Sequence, residues 1–452
     1  MTFTPESLLS RLQALPPAGR YLVAYSGGAD SHVLLHALAQ IQTRLSQPLI
    51  AIHINHGLQA DSGQWAAHCE EVCHALAIPI EVIEVEVDST RGDSLEAAAR
   101  RARYTAIQAI LQPGDAVLTA HHQDDQAETL LLQLLRGAGP RGLAAMAAQA
   151  AFGAGLLLRP LLEHKRDALQ AYARTVGIEW VEDPSNRETR FDRNFLRHEA
   201  MPVLASRWPA LASTLARAAR HQAEALEVMD EMARQDLAGE CTSELPIERL
   251  KGLSEARQKN LLRYWIQANG FGLPDERRMQ VILTDLLTAS EDANPVVGWG
   301  GNQLRRYRER LYLQATLPEH DSGLCLRWNG EELVIPSAGG VLCGIETTGL
   351  GLKRENLRGG AEVRFRHGGE RCRPQGRGLT RDVKKLMQEA GIPPWLRGRI
   401  PLIYIDDELA VIPGVCICEA HAAKADEAGI KPIWTWTNTG PAIEMGREKN
   451  DN

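Results

Sequence analysis

The sequence is poor in aromatic residues, at 5%, and holds only eight cysteines in 452 residues. Cysteines that sparse do not build a disulfide scaffold. No C-x-x-C pair occurs, which removes the usual dithiol and iron–sulfur signatures. Cys69 and Cys73 lie four apart on one predicted helix face, where reduced buried thiols are favoured over a zinc site completed by His68 or His74. No uncharged apolar run reaches the roughly 18 residues of a membrane span. The nearest, from Leu143 to Leu158, is broken by Gln149, Gly153 and Gly155. The start, Met1-Thr2-Phe3-Thr4-Pro5-Glu6, lacks the basic and apolar parts of a signal peptide, so a cytoplasmic protein with no membrane partner is expected. Basic charge is short as well. Fifty Lys and Arg stand against 57 Asp and Glu, a net −7 that, taken alone, argues mildly against a nucleic-acid partner.

What remains is an ordinary globular composition, 44% hydrophobic and 24% charged, in a chain long enough for two or three domains. Up to about residue 180, short β-branched runs alternate with helix-period stretches. The predicted strands are 21–25, 49–55, 78–87, 116–121 and 156–162; the predicted helices are 31–45, 62–77, 94–111, 125–135 and 164–176. That alternation predicts an α/β fold with a doubly wound parallel sheet. We expect a catalytic domain over 1–222, a mainly helical substrate-binding domain over 223–318 with a hairpin near Gly298, and a small α+β domain over 319–437. The polar residues 438–452 read as a tail.

The most informative segment is Ser26-Gly27-Gly28-Ala29-Asp30-Ser31, which leaves a buried strand and opens a helix. Two adjacent glycines allow close backbone approach and expose consecutive N–H groups, while the serines add hydroxyls and the helix end adds partial positive charge. This is the chemistry of a phosphate cradle. It is not a Walker A loop, since no lysine is present, nor a G-x-G-x-x-G turn. A tight turn with Asp30 or Ser31 merely capping the helix is the plain alternative. The loop resembles the PP-loop of N-type ATP pyrophosphatases, which implies ATP as cosubstrate, cleaved to AMP and pyrophosphate.

Further segments narrow the resemblance. They are Ile52-His53-Ile54-Asn55-His56-Gly57-Leu58, the arginine helix Arg100-Arg101-Ala102-Arg103, and His121-His122-Gln123-Asp124-Asp125-Gln126-Ala127-Glu128. Arg159-Pro160-Leu161-Leu162, Trp180 to Asn186, and Arg193-Asn194-Phe195-Leu196-Arg197 follow; near the C-terminus come Lys384-Lys385-Leu386-Met387 and Trp395 to Leu402. In order and spacing the set resembles the tRNA(Ile)-lysidine synthetase family, in its long three-domain form. The resemblance implies a ligase that joins free L-lysine to C2 of the wobble cytidine in a CAU anticodon, with the tRNA(Ile) as partner.

Asp125 and Glu128 are three apart and share a helix face, so two carboxylates there suit either a lysine ammonium or Mg2+. A capping box from Asp125 to Glu128 is the plain alternative. The resemblance favours lysine for this pair, Arg103 for the adenylate, and His53 for a place near the adenine. The candidate catalytic set is Asp30, Arg103, His122, Asp125 and Glu128. ATP is assigned to residues 26–31 and His53, and Mg2+ to Asp30.

Charge is uneven along the chain. Residues 185–222 hold seven arginines and three acids; residues 353–400 hold thirteen Lys and Arg against five Asp and Glu. Arginine clusters near aromatics suit an RNA backbone and an unstacked base, although a solvated face is the ordinary alternative. The expected tRNA contacts are Arg193, Asn194, Arg197, Arg371, Arg373, Arg377, Lys384, Lys385 and Arg397. A PP-loop thiolase would need a cysteine pair that is missing, and a non-catalytic RNA binder would use ATP only as a structural ligand. The oligomeric state stays open, a homodimer being one option.

Overall fold

The computed structural model describes residues 2–57, 59, 61–87, 95–182, 184–290 and 293–437. The tail expected at 438–452 lies outside the described residues, as do Leu58 and Asp183 of the quoted motifs. The described residues form two compact units, Met1–Val228 and Met229–Asn452. No helix among them is long and apolar enough to cross a membrane.

In the first unit the apolar runs become strands, the central ones largely buried as a parallel sheet requires. The strands are β1 (Arg20–Ala24), β2 (Leu49–Asn55), β3 (Ile80–Glu84), β4 (Asp115–Leu118), β5 (Gln149–Phe152) and β6 (Gly155–Leu158), in the order β3-β2-β1-β4-β6-β5. Only the β5–β6 pair is antiparallel. The period-2 alternation divides the core. Tyr21, Val23, Ala51, Ala116 and Leu118 pack with helices α1 (Pro5–Gln13), α2 (Ala29–Ile41), α3 (Ser62–Ala75) and a later helix, Arg166–Val176. Leu22, Ile52, Val117 and Leu157 pack on the other face with Ile107 of α4 (Leu95–Ile110).

The β5 strand departs from the expected pattern. Its sequence, Gln149-Ala150-Ala151-Phe152, carries little β-propensity and is imposed by the hairpin back to β6, with Gly153 at φ +56° in the two-residue turn. Functionally, the order of the sheet matters most. The chain runs outward from β1 to β2 and β3, then returns to add β4 on the opposite side of β1. The reversal opens a crevice beyond the carboxyl ends of β1 and β4. Helix α5 (Gln123–Leu135) leaves from β4 at that edge. A short helix α6 (Pro140–Leu143) precedes β5, and α7 is the Arg166–Val176 helix already met.

After α7, α8 (Asp192–Phe195), a π-turn (Leu196–Ala200) and α9 (Met201–Arg207) follow one another, and then comes the long α10 (Leu211–Leu237). The second unit joins the residues expected as middle and C-terminal domains. Its first part packs α11 (Glu255–Ala268) and α12 (Glu276–Val281) around Trp265 against a four-stranded antiparallel sheet made by β7 (Glu244–Pro246), β8 (Val296–Trp299), β9 (Asn302–Tyr307) and β10 (Arg310–Ala315). Its second part has a five-stranded and a four-stranded sheet around Trp328, Phe365 and Trp434, with two short helices, α13 (Val383–Glu389) and α14 (Pro394–Arg397). One bridge, Cys372–Cys418, spans 5.9 Å between Cα atoms; Cys69 and Cys73 are free and buried.

Candidate active site

A cavity of about 600 Å3 opens at the crevice, lined from β1 and its loop by Tyr25, Ser26, Gly28, Ala29, Asp30 and Ser31. His53, His56 and Trp65 line it from the β2 side, Arg103 and Tyr104 from α4, and Thr119, Ala120 and His121 from the end of β4. Arg166, Trp180, Glu182, Asn186, Arg187, Arg197 and His198 complete the wall.

The loop is built as a cradle. The Ser31 hydroxyl donates to Gly28 O at 2.9 Å and accepts from Ser26 N at 3.3 Å, with the Ser26 hydroxyl 3.1 Å away. Gly27 takes φ +78°, a conformation that side chains rarely adopt. No side chain caps α2, so its first-turn N–H groups remain for a ligand. Asp30 does not cap the helix. Its Oδ2 lies 3.4 Å from His122 Nε2, and its buried Oδ1 has no hydrogen-bond partner among the described residues. An unpaired buried carboxylate oxygen beside a phosphate cradle fits Mg2+, which is commonly held by one or two carboxylates plus substrate phosphates. No group of three or more acidic, His or Cys side chains among the described residues would cage a metal alone.

The histidines divide by environment. His53 Nδ1 lies 3.0 Å from Tyr25 O, and burial holds its pKa below the ordinary value. A neutral ring donating from Nδ1 leaves Nε2 as an acceptor. His121 bonds Thr119 Oγ1 at 2.8 Å, and burial pushes it down to about 3 despite Asp125, with Arg159, Arg193 and Arg100 adding to the effect. His122 goes the other way. Burial opposes its charge, but Asp30, Asp125 and Asp124 outweigh that and raise its pKa.

The expected capping box is displaced by one turn. His122 is the N-cap of α5; its Nδ1 accepts from Asp125 N at 3.4 Å, and Asp125 Oδ2 accepts from His122 N at 3.0 Å. Both Asp125 and Glu128 are buried, and neither lines the cavity. Their other oxygens hold two arginines. Arg193 Nη2 and Arg197 Nη2 reach Asp125 Oδ1 at 2.9 and 3.0 Å. Arg193 Nε and Arg197 Nη2 reach Glu128 Oε2 at 2.9 and 2.8 Å, and Arg197 Nε reaches Glu128 Oε1 at 2.7 Å. Burial would raise Asp125, yet His122, Arg193 and their neighbours bring it down to about 2. The residues expected to meet lysine and those expected to meet tRNA are thus joined to each other.

The remaining tRNA candidates separate clearly. Asn194 spends its amide on Ser185 O and Glu188 O at 2.9 and 3.1 Å, which shapes the 184–188 segment. Arg371, Arg373 and Arg377 are exposed, each beside one acid, Asp382, Glu419 and Glu389 respectively. Lys384 and Lys385 are exposed on α13. Arg397 is corrected. It is buried, with Nε donating to Ile392 O at 2.8 Å and Nη2 to Tyr307 OH at 3.1 Å, so its charge is spent inside the protein and not offered to RNA. Trp65, Arg166, Arg187 and His198 join the site without having been expected there. Their place on the cavity wall depends on long-range packing, which no local pattern announces.

Comparison with known proteins finds matches along most of the chain. The description "PP-loop domain" matches residues 3–204, "TilS substrate binding domain" 245–312 and "TilS substrate C-terminal domain" 361–434. The chain is 44% identical over 429 residues to the tRNA(Ile)-lysidine synthase of Coxiella burnetii, covering 94% of this chain and 96% of the relative. It is 44% identical to that of Alkalilimnicola ehrlichii, covering 93% and 95%, and 40% identical to that of Methylococcus capsulatus, covering 95% and 99%.

Proposed function

The chain belongs to the tRNA(Ile)-lysidine synthase family, and from that premise we propose how its own residues divide the work. The protein is an ATP-dependent carbon–nitrogen ligase that forms lysidine on tRNA(Ile). ATP lays its phosphates on residues 26–31, where the uncapped end of α2 supports the reading most directly. The unpaired Asp30 oxygen would hold Mg2+, which would supply charge neutralisation to the phosphates. His53 offers Nε2 to the adenine amino group, and Arg103 approaches the adenylate from α4.

The reaction has two stages. O2 of the wobble cytidine attacks the α-phosphorus and pyrophosphate leaves; an amine of free L-lysine then attacks C2, and AMP departs with the oxygen. Asp125 and Glu128 receive the lysine ammonium in the place that Arg193 and Arg197 occupy. Holding reactants in register and stabilising charge would supply most of the rate. His122 orients Asp30 from behind, and three carboxylates around the ring raise its pKa against the effect of burial. The exposed arginines at 371, 373 and 377 exchange their weak surface pairs for RNA phosphates.

The test is incubation with radiolabelled lysine, ATP, magnesium and CAU-anticodon tRNA(Ile). We expect label in tRNA, with incorporation falling by at least a hundredfold in Asp30→Ala. Full activity of that variant would remove Asp30 from the assignment.

A further inference from the structure

We propose that Arg193 and Arg197 are a built-in occupant of the lysine site, displaced when a phosphate ester draws them toward the cavity, so that lysine binding is coupled to a phosphate-bearing substrate. The inference rests on the reading that Asp125 and Glu128 hold the lysine ammonium.

Several observations carry it. The two carboxylates are buried, and every oxygen of the pair already has a partner: Arg193 and Arg197 take three of the four, and the His122 backbone N–H takes Asp125 Oδ2. An incoming ammonium therefore meets no vacant acceptor; one cation must leave for another to enter. Two guanidinium groups balance two carboxylates, so adding lysine without removing an arginine would bury an excess positive charge, which is costly. Arg197 has somewhere else to go. It lines the same cavity as Ser26, Asp30 and Ser31, where phosphates are expected, and guanidinium pairs bidentately with phosphate as readily as with carboxylate. Both arginines belong to a stretch that includes the π-turn Leu196–Ala200, a local departure from α geometry frequent at functional sites. Exchange keeps the charge paired at each stage: phosphate takes the arginine and the carboxylates take lysine. Linkage makes the effect reciprocal, so lysine also tightens the phosphate ligand by the same factor.

The phosphate comes from ATP or from the tRNA backbone, and equilibrium dialysis of radiolabelled L-lysine against the full chain separates the two. One arm contains protein alone, a second adds a non-hydrolysable ATP analogue with magnesium, and a third adds CAU-anticodon tRNA(Ile) without ATP. Lysine should bind at least tenfold more tightly in the second or third arm than in the first, and the arm that responds names the source. Arg197→Gln should bind lysine at least fivefold more tightly than wild type in the first arm, with the later gain reduced by a similar factor; Arg193→Gln is the independent variant, and melting curves confirm that each is folded. Wild-type affinity equal within twofold in all arms overturns the coupling, whatever the variants do. So does a folded Arg197→Gln or Arg193→Gln that binds lysine no better than wild type in the first arm. Asp125→Asn separates the levels. If it binds lysine as wild type does, the carboxylate reading itself fails; if it loses lysine while wild type shows no coupling, only the exchange fails.

Discussion

Gly27 is the residue on which the cradle turns. Its φ of +78° excludes an ordinary side chain, and a Cβ there would stand 3.1 Å from Cys69 Sγ beneath the loop. Gly27→Ala should lose about 1 kcal/mol or more of stability and most ATP-dependent activity. Adding Cys69→Ala should restore only the part due to the sulfur. A thermal melt with no shift for the single variant would show that the loop tolerates the strain. The loop was legible in the sequence because its chemistry is contiguous: glycines, hydroxyls and a helix start within six positions. The Arg193–Asp125 and Arg197–Glu128 pairs were not, since the partners lie 68 and 69 positions apart and complementary charges alone do not say who meets whom. The same holds for the opposed titrations of His121 and His122, adjacent in sequence and separated only by what each ring faces.

Elements carry the next lesson. The five parallel strands and their helices were readable because apolar period and turn residues agree, whereas β5 exists through its pairing with β6. In the second unit, basic residues close in sequence have opposite fates. Arg397, at the end of α14, faces inward to Ile392 and Tyr307, while Arg371, Arg373 and Arg377 are exposed within and just after a short strand. Arg397→Met should therefore cost about 1–3 kcal/mol by leaving buried acceptors unpaired, and leave the salt dependence of tRNA binding unchanged. Replacing Arg371, Arg373 and Arg377 by Gln should do the reverse. Stability should hold, while the slope of log affinity against log salt falls by roughly 0.7–0.9 for each phosphate that is no longer neutralised. Titrations across salt concentrations decide between them; an altered slope for Arg397→Met alone would return it to the RNA surface.

At the scale of the whole molecule, burial of histidine sets the response to acid. Burial lowers His32, His36, His53, His121 and His164 in the first unit, His32 to about 4 and His121 to about 3. Such groups bind fewer protons folded than unfolded, so their contribution is complete above about 6.5 and drains away as pH falls toward 4. His122 opposes the trend, since its raised pKa adds stability below the unfolded value that is lost at higher pH. Asp125, held near 2, adds a loss only below about 4. Denaturation midpoints should therefore drop steadily between pH 6.5 and 4.5, less steeply in His121→Gln; a flat profile would contradict neutral packing of these rings. Net charge was a poor guide at this scale, because −7 averages acidic stretches with the basic segment at 353–400.

The reversal of strand order between β1 and β4 has a consequence for how this protein tolerates change. Strand residues such as Val23 and Leu118 are wholly buried, whereas Ser26 and Thr119, which line the cavity, lie just beyond the strand ends. A saturation mutagenesis screen scored separately for protein abundance and for lysidine formation should sort along the strands. Positions 21–23 and 116–118 would lower the amount of enzyme, and positions 26–31 and 119–122 would lower what each molecule achieves. Sequence drift can then rework the reaction edge of the sheet without reopening the question of whether the chain folds.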